Sequence, residues 1–416
     1  MRTCTLLAVI AGLFVSQPEG GEPAREWPCF HGPKRDNKST ETGLLKKWPA
    51  GGPKLLWTAS GLGKGYSSVT VAAGMVYTAG MVGKQTYVFA FDLNGNQKWR
   101  KLNGQSWQAT RRHARAYGGS RSTPTYDEGR LYHLGDCGRL AVFDAKTGGE
   151  LWSLDLLKRF GAKMPEYGLA ESVLIDGDRL ICCPAGKKGY MVCLDKKTGK
   201  LIWANTDVKG TVGYCSPVIA EFGGFRQILS MSSATAFGVD AKTGKLLWSV
   251  DHGNRRDNSA TDPIFHKGHV FASTGYGKGS TLIRLKAVQD GIEAERVWAI
   301  KLMDNHHGGV VLLDEHLYGA GHQSKGWFCL DFLTGKQAWR AKGKGSLTYA
   351  DGMLYCLDER GTMSLVEATP KAHRPVSSFR VPKGGSGLHW AHPVVCDGRL
   401  YVRHAAKLFV YDVRTK

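Results

Sequence analysis

Two carboxylates and an imidazole, Glu171, Asp262 and His392, fall at one equivalent position of an internal repeat, with His306, His307, His389 and Trp390 close by in sequence. Carboxylates and imidazoles brought to one place can ligate a metal, grip a sugar through its hydroxyls, or pass a proton as acid and base. Spread along a polar wall, the same groups are simply satisfied by water. A second stretch with chemistry in it runs from Arg100 to Arg121 and carries Arg111, Arg112, His113, Arg115 and Arg121 beside Trp107 and Tyr117. Guanidinium groups interleaved with aromatic rings suit an anionic or ring-shaped ligand. The adjacent pair Cys182-Cys183 is the third. No Gly-rich phosphate loop, paired-cysteine zinc spacing or Gly-x-Ser-x-Gly elbow occurs.

What positions these groups is a repeat. Asp144-x-x-Thr147-Gly148-x-x-x-Trp152 returns at Asp195 to Trp203, at Asp240 to Trp248 and at Asp331 to Trp339, with a variant at Asp92-Leu93-Asn94-Gly95 to Trp99. Self-similarity on this scale marks a propeller or solenoid. Between the copies lie short alternating strands broken by turn residues, with no run of helical period. Around Tyr132, for instance, Ser122–Tyr126, Arg130–Leu134, Arg139–Phe143 and Glu150–Ser153 read as four strands, which is one propeller blade.

Aligning on the glycine of the first turn gives one residue at the head of each innermost strand: Ser68, Thr123, Glu171, Ser216, Asp262, Gly309, Ser346 and His392. The sequence therefore predicts an all-β, eight-bladed propeller over residues 52–416. The last copy ends before a tryptophan, and Pro53-Lys54-Leu55-Leu56-Trp57 is a fourth strand with no preceding three. Pairing the two closes the ring and hides both sheet edges. Trp57, Trp99, Trp152, Trp203, Trp248, Trp298 and Trp339 are assigned to docking between blades. Residues 21–51, rich in turn formers, form a leader that packs on the ring.

The phrases Phe143-Asp144-Ala145-Lys146-Thr147-Gly148-Gly149-Glu150-Leu151-Trp152 and Val239-Asp240-Ala241-Lys242-Thr243-Gly244-Lys245-Leu246-Leu247-Trp248 resemble the docking motif of pyrroloquinoline-quinone (PQQ) repeat propellers. That family has two branches. In its quinoprotein dehydrogenases a quinone lies in the channel mouth on calcium, with a carboxylate base and, in several members, a disulfide between adjacent cysteines. The resemblance then implies Glu171 and Asp262 as metal ligands, with His392 beside them as a catalytic candidate, and Cys182-Cys183 as the cysteine pair, although that pair sits in a strand rather than a channel loop. In the branch similar to the BamB-type outer-membrane assembly lipoproteins, a plain eight-bladed ring binds partners and holds no quinone. Length, blade count and unembellished repeats place this chain nearer the second branch, while the absence of a lipidated cysteine and the basic charge set it apart.

Arg2 followed by the apolar run Leu6 to Val15 has the form of a secretory signal over residues 1–20, cleaved between 16 and 24, and is too short to span a bilayer. Without Cys4, nine cysteines remain, an odd number; Cys193, Cys329 and Cys356 recur in matching strand contexts and read as small core residues. A formal net charge of +20 favours an anionic partner. Export argues against nucleic acid. The reading is a monomeric periplasmic or secreted scaffold without a cofactor, engaging an envelope protein, an anionic polysaccharide or lipid through Arg111, Arg112, Arg115, Arg121, Trp107, His306, His307, His389 and Trp390. A PQQ- and calcium-dependent alcohol or sugar dehydrogenase is the alternative. A carbohydrate-binding propeller, using Tyr66, Trp107, Tyr214 and Trp390, is the third reading.

Overall fold

The computed structural model describes residues 26–254, 256, 258–289 and 291–415, the side chains of His113, Arg115 and Ala116 excepted. The signal segment and its cleavage point lie outside the described residues. Eight blades of four antiparallel strands stand around one axis, the seventh gaining a fifth, parallel strand from Lys38–Ser39. Their innermost strands are Thr70–Ala72, Thr125–Asp127, Leu174–Asp176, Val218–Phe222, Ile264–His266, Val310–Leu313, Gly345–Ala350 and Val394–Cys396, which open blades one to eight in that order. Blade eight takes its outer strand from the other end of the chain: Lys54–Ala59 pairs antiparallel with Lys407–Asp412, Lys54 opposite Asp412 and Ala59 opposite Leu408. The ring closes as the sequence requires.

Each repeat turn has a local cause. The Asp240 carboxylate accepts from the amides of Lys242 and Thr243 and from the Thr243 hydroxyl at 3.1, 2.7 and 2.7 Å. This Asx-type knot presents Gly244 at φ +76°, where a side chain is strained. A Cβ there would also lie 2.4 Å from the Trp203 ring. The tryptophan of one blade therefore lies flat on the turn glycine of the next, and its indole donates to a carbonyl of that turn: Trp57 to Leu93, Trp99 to Ala145, Trp203 to Ala241, Trp298 to Phe332. Two tryptophans depart from this: Trp152 lies on Gly199 with no partner for its indole among the described residues, and Trp248 faces a blade that lacks the turn. The next blade replaces the turn with the long hairpin Gly279–Val288 and Gly291–Ile300, and Trp248 donates instead to Gln227 of its own blade at 2.7 Å.

Two expectations shift in detail. Arg100 belongs to the outer strand Gln97–Gln105, so the insertion after blade one spans 106–124 and holds a 3-10 turn at Arg112–Tyr117. The nine cysteines among the described residues are free; Cys182 ends a strand and packs between blades two and three, while Cys183 packs between blades three and four. Their side chains pack in two separate inter-blade cores and do not form a disulfide pair.

The docking geometry predicts that Trp203→Ala destabilises the protein by about 3 to 5 kcal/mol, the cost of emptying a large aromatic site. Trp203→Phe, which keeps the ring contact with Gly244 and loses the indole donor, is expected to cost about 1 to 2 kcal/mol. Chemical denaturation measures both, and equal losses would show that the ring contact contributes nothing.

Candidate functional site

The heads of the innermost strands are tied into a belt. The amide of Ser68 donates to Thr123 Oγ1 at 3.0 Å, that of Thr123 to Ser172 Oγ at 2.9 Å, that of Ser172 to Ser216 Oγ at 3.0 Å, and that of Ser216 to Asp262 Oδ1 at 2.7 Å. The Ser68 hydroxyl reaches back to the carbonyl of His392 at 2.7 Å. Blade three contributes Ser172 to this belt, not Glu171. Glu171 points behind the wall and accepts from the Cys183 amide at 2.6 Å, and its other oxygen has no hydrogen-bond partner among the described residues. The one-residue offset arises because alternate residues of an extended chain face opposite sides.

Inside the belt lies the leader. Its two ends are anchored at turns between first and second strands: the Glu26 carboxylate accepts from Ala73 of blade one, and the Glu41 carboxylate from Asp397 and Gly398 of blade eight. Those turns are at the mouth opposite the belt. Between the anchors the chain rises into the axis, Trp27 bridging Val71 and Lys38–Ser39 adding a parallel strand beside Tyr349 and Ala350. Arg35, 8% exposed, donates to the carbonyls of Ser172, Val173 and Pro217, and Asn37 bonds the Leu347 carbonyl and the Thr348 hydroxyl. At the tip, His31 Nδ1 stands 3.0 Å from Asp262 Oδ2 and its Nε2 2.9 Å from His392 Nδ1, while Phe30 stacks on the ring at 3.8 Å. Gly309 must be glycine here, because a Cβ would lie 3.1 to 3.3 Å from His392, Asn37 and His31 and its φ is +70°.

The plug turns a channel into a cup of about 350 Å³ on the belt side. Its wall has a simple register. Two residues before each belt position comes Tyr66, Arg121, Ala170, Tyr214, Ala260, His307, Lys344 and Trp390, and all eight line the cup. Phe30, Tyr117, Tyr167, Tyr276, His306, His322 and Glu359 also line it, with Asn258, Leu388 and belt residues such as Asp262 and His392. Trp390 is held from behind: its indole donates to Glu359 Oε1 at 2.8 Å, and Lys344 Nζ lies 3.1 Å from the same carboxylate. Tyr66, Tyr117, His306 and His307 all approach the Trp390 ring within 4.5 to 5.8 Å. Arg121 lies between Tyr66 and Trp107, with its hydrogens on the carbonyls of Tyr117, Gly119 and Tyr167 and no carboxylate in contact among the described residues.

The residues singled out from sequence divide accordingly. Asp262, His392, His306, His307, Trp390 and Arg121 come together in the cup. Trp107 is buried behind Tyr167, and His389 is buried against His404 at 3.7 Å rather than in the cup. Arg111 and Arg112 are exposed on the rim, where Arg111 pairs with Glu166 at 3.1 Å; the side chain of Arg115 is outside the described set. Phe30, His31, Tyr167, Tyr276, His322, Lys344 and Glu359 were not anticipated. Lys344 alone had a readable signal, its place two residues before Ser346.

Burial dominates the electrostatics. His392 and His306 are pushed down to about 3 and His307 well below the usual histidine range, first by desolvation and then by neighbouring positive groups. Glu171 is pushed up to about 7, again chiefly by burial. The cup thus presents neutral imidazoles, the lysine and the guanidinium. Among the described residues no group of three His, Cys, Asp or Glu side chains is gathered as for a metal ion, and no helix is long and apolar enough to cross a membrane.

A family model described as outer membrane protein assembly factor BamB, of the PQQ-repeat type, matches residues 103–341. No curated protein matches the sequence. Among solved structures, BamB from Moraxella catarrhalis is similar at 15% identity, covering 87% of this chain and 98% of its own, with a TM-score of 0.59. A quinohemoprotein alcohol dehydrogenase from Comamonas testosteroni shares 13% identity over 94% of this chain and 81% of its own, TM-score 0.66. A europium-containing methanol dehydrogenase shares 12% over 92% and 89%, TM-score 0.55. Likeness at these identities establishes the fold alone.

The buried imidazoles set a pH dependence. His133, His252, His306 and His392 are held down to about 3, and His307 lower, whereas an unfolded histidine titrates near 6.5. The folded chain therefore binds fewer protons than the unfolded one below about pH 6.5, and stability is lost as the pH falls through that window. Glu171, raised from 4.5 to about 7, acts in the opposite sense, but it is one group against five. Tm and the free energy of unfolding are both expected to drop from pH 7 to pH 5, and His252→Gln should reduce the pH slope of that free energy by up to about 1.4 kcal/mol per pH unit. A Tm independent of pH in this range would mean the imidazoles are not held neutral.

Proposed function

We propose, for a chain that belongs to the PQQ-repeat family described as outer membrane protein assembly factor BamB, a role as an envelope binding protein, periplasmic or secreted, that holds an anionic ring-shaped ligand in the cup. The observation that carries this reading is the wall itself. Seven aromatic side chains, Phe30, Tyr66, Tyr117, Tyr167, Tyr214, Tyr276 and Trp390, surround a cavity into which Arg121 brings a guanidinium with no carboxylate in contact among the described residues. Aromatic faces accept the apolar face of a ring, and fixed donors orient an anionic substituent. The site is preformed, since Trp390 is clamped through Glu359 to Lys344.

The dehydrogenase branch supplies the second reading, and the residues present do not fit its cofactor. Glu171 and Asp262, the two candidate calcium ligands, do not converge: one faces the Cys183 amide behind the wall, the other faces His31 and the Ser216 amide. The remaining cup carboxylate, Glu359, is engaged by Trp390 and Lys344. Cys182 and Cys183 are packed in two separate inter-blade cores rather than against the cup. No catalytic step is drawn through a quinone. The BamB-like relationship supports a binding role, and the cup gives that role a chemistry.

Titration of tryptophan fluorescence with glucuronate, galacturonate, neutral glucose, and PQQ with and without calcium tests the proposal. Saturable uronate binding, weak or absent with glucose and reduced at least tenfold (about 1.4 kcal/mol) in Trp390→Ala, is expected. Calcium-dependent PQQ binding that an alcohol then reduces would replace this reading with a dehydrogenase. Binding of none of these ligands would overturn it.

A further inference from the structure

We propose, building on the reading of the cup as a ligand site, that its occupant is the end of a linear acidic polysaccharide, whose next units lie in a basic groove leading off the cup. A hollow of about 650 Å³, nearly twice the cup's 350 Å³, shares Tyr167, Tyr214 and Tyr276 with it. These three rings border both spaces, so the hollow adjoins the cup at their edge. The groove is floored by the segments 163–167, 184–187 and 211–214, which are loops on the belt face of blades two to four.

Its charge is one-sided. Lys163, Lys187 and Arg256 border the groove, are exposed, and make no ion pair among the described residues, while Glu166, the acidic residue of the lining, already pairs with Arg111. Beyond Arg256, whose guanidinium lies 5.9 Å from the Tyr276 ring centre, a second hollow of about 640 Å³ is bordered by Asn254, Lys278 and Gln323, with no acidic side chain in its lining among the described residues. Unpaired cations along a wall favour a polyanion, and the benefit accumulates with each charge that the polymer places there.

The lining also says what kind of polyanion. A protein partner needs a contiguous apolar centre, and apart from the tyrosines the groove's exposed apolar contribution is Met164. Tyrosine rings at the junction, Tyr167 and Tyr214 at 6.3 Å and 66°, offer aromatic faces with polar edges, suited to sugar rings that carry both apolar faces and hydroxyls. Two of the junction residues are held in the left-handed region, Tyr214 at φ +80° and Tyr276 at φ +58°. Non-glycine residues there are strained, and such strain concentrates at ligand clamps. The belt and plug floor the cup, so a chain entering through the groove stops there: recognition is of a terminus.

Calorimetry with galacturonate oligomers of one to five units tests the inference. Affinity is expected to rise at least tenfold from monomer to trimer and to fall with added salt as the exposed lysines are screened. The double variant Lys163→Ala/Lys187→Ala should lose that length dependence while binding the monomer unchanged. Blocking the non-reducing or the reducing end should abolish binding for one of the two. Monomer binding without a length gain, a gain that survives the double variant, equal binding of neutral oligomers, or tighter binding of single-stranded DNA would each overturn the polysaccharide inference. Failure of the monomer to bind would instead overturn the cup reading on which it rests.

Discussion

A closed ring of eight blades leaves a hole on its axis, and the backbone groups that face this hole must find hydrogen-bond partners. The leader meets that demand. Arg35 answers three carbonyls of blades three and four, Asn37 answers blade seven, and His31 joins Asp262 of blade five to His392 of blade eight. The cost is visible in the backbone, where His31, Arg35 and Asn37 take φ of +66°, +52° and +58°. Three non-glycine residues in that region within one short segment persist only where the surroundings over-determine them. The depth and floor of the cup, and with them any function placed there, follow from this one insertion.

Much of the scaffold was legible because its signals are local and repeated. The Asp-x-x-Thr-Gly turn carries its own hydrogen bonds, and the tryptophan four residues after its glycine lies on the corresponding glycine of the next blade. Gly244 under Trp203 shows both in one contact. Closure by Trp57 was equally readable, since a lone fourth strand at one end and a truncated blade at the other have one solution. The site was less legible. Alignment on the turn glycine put Glu171 on the belt, and a slip of one residue exchanged it for Ser172, whose hydroxyl the Thr123 amide uses. In a strand such a slip swaps channel for core.

The cup residues were missed for a different reason. Tyr167, Tyr276 and His322 lie in connections whose conformation no periodicity fixes, and Phe30 and His31 reach the site only because the leader folds back into the axis. The register two residues before the belt recovers Tyr66, Arg121, Tyr214, His307, Lys344 and Trp390, but that rule is apparent only once Ser172 replaces Glu171. Charge was similarly divided. Many of the lysines that make the chain basic sit in repeat turns facing water, whereas Lys163, Lys187 and Arg256, the cations of the proposed groove, gather at one mouth without an ion pair among the described residues.

The central claim is that the plug-floored cup is a ligand site for an acidic sugar terminus. A crystal structure of the protein with a tri-galacturonate tests it most directly. The account predicts a terminal ring against Trp390, its carboxylate toward Arg121, with the following units passing Tyr167 and Tyr214 toward Lys163 and Lys187. A saccharide bound on another face, or a cup that stays empty at saturating oligomer while the sugar binds elsewhere, would contradict it.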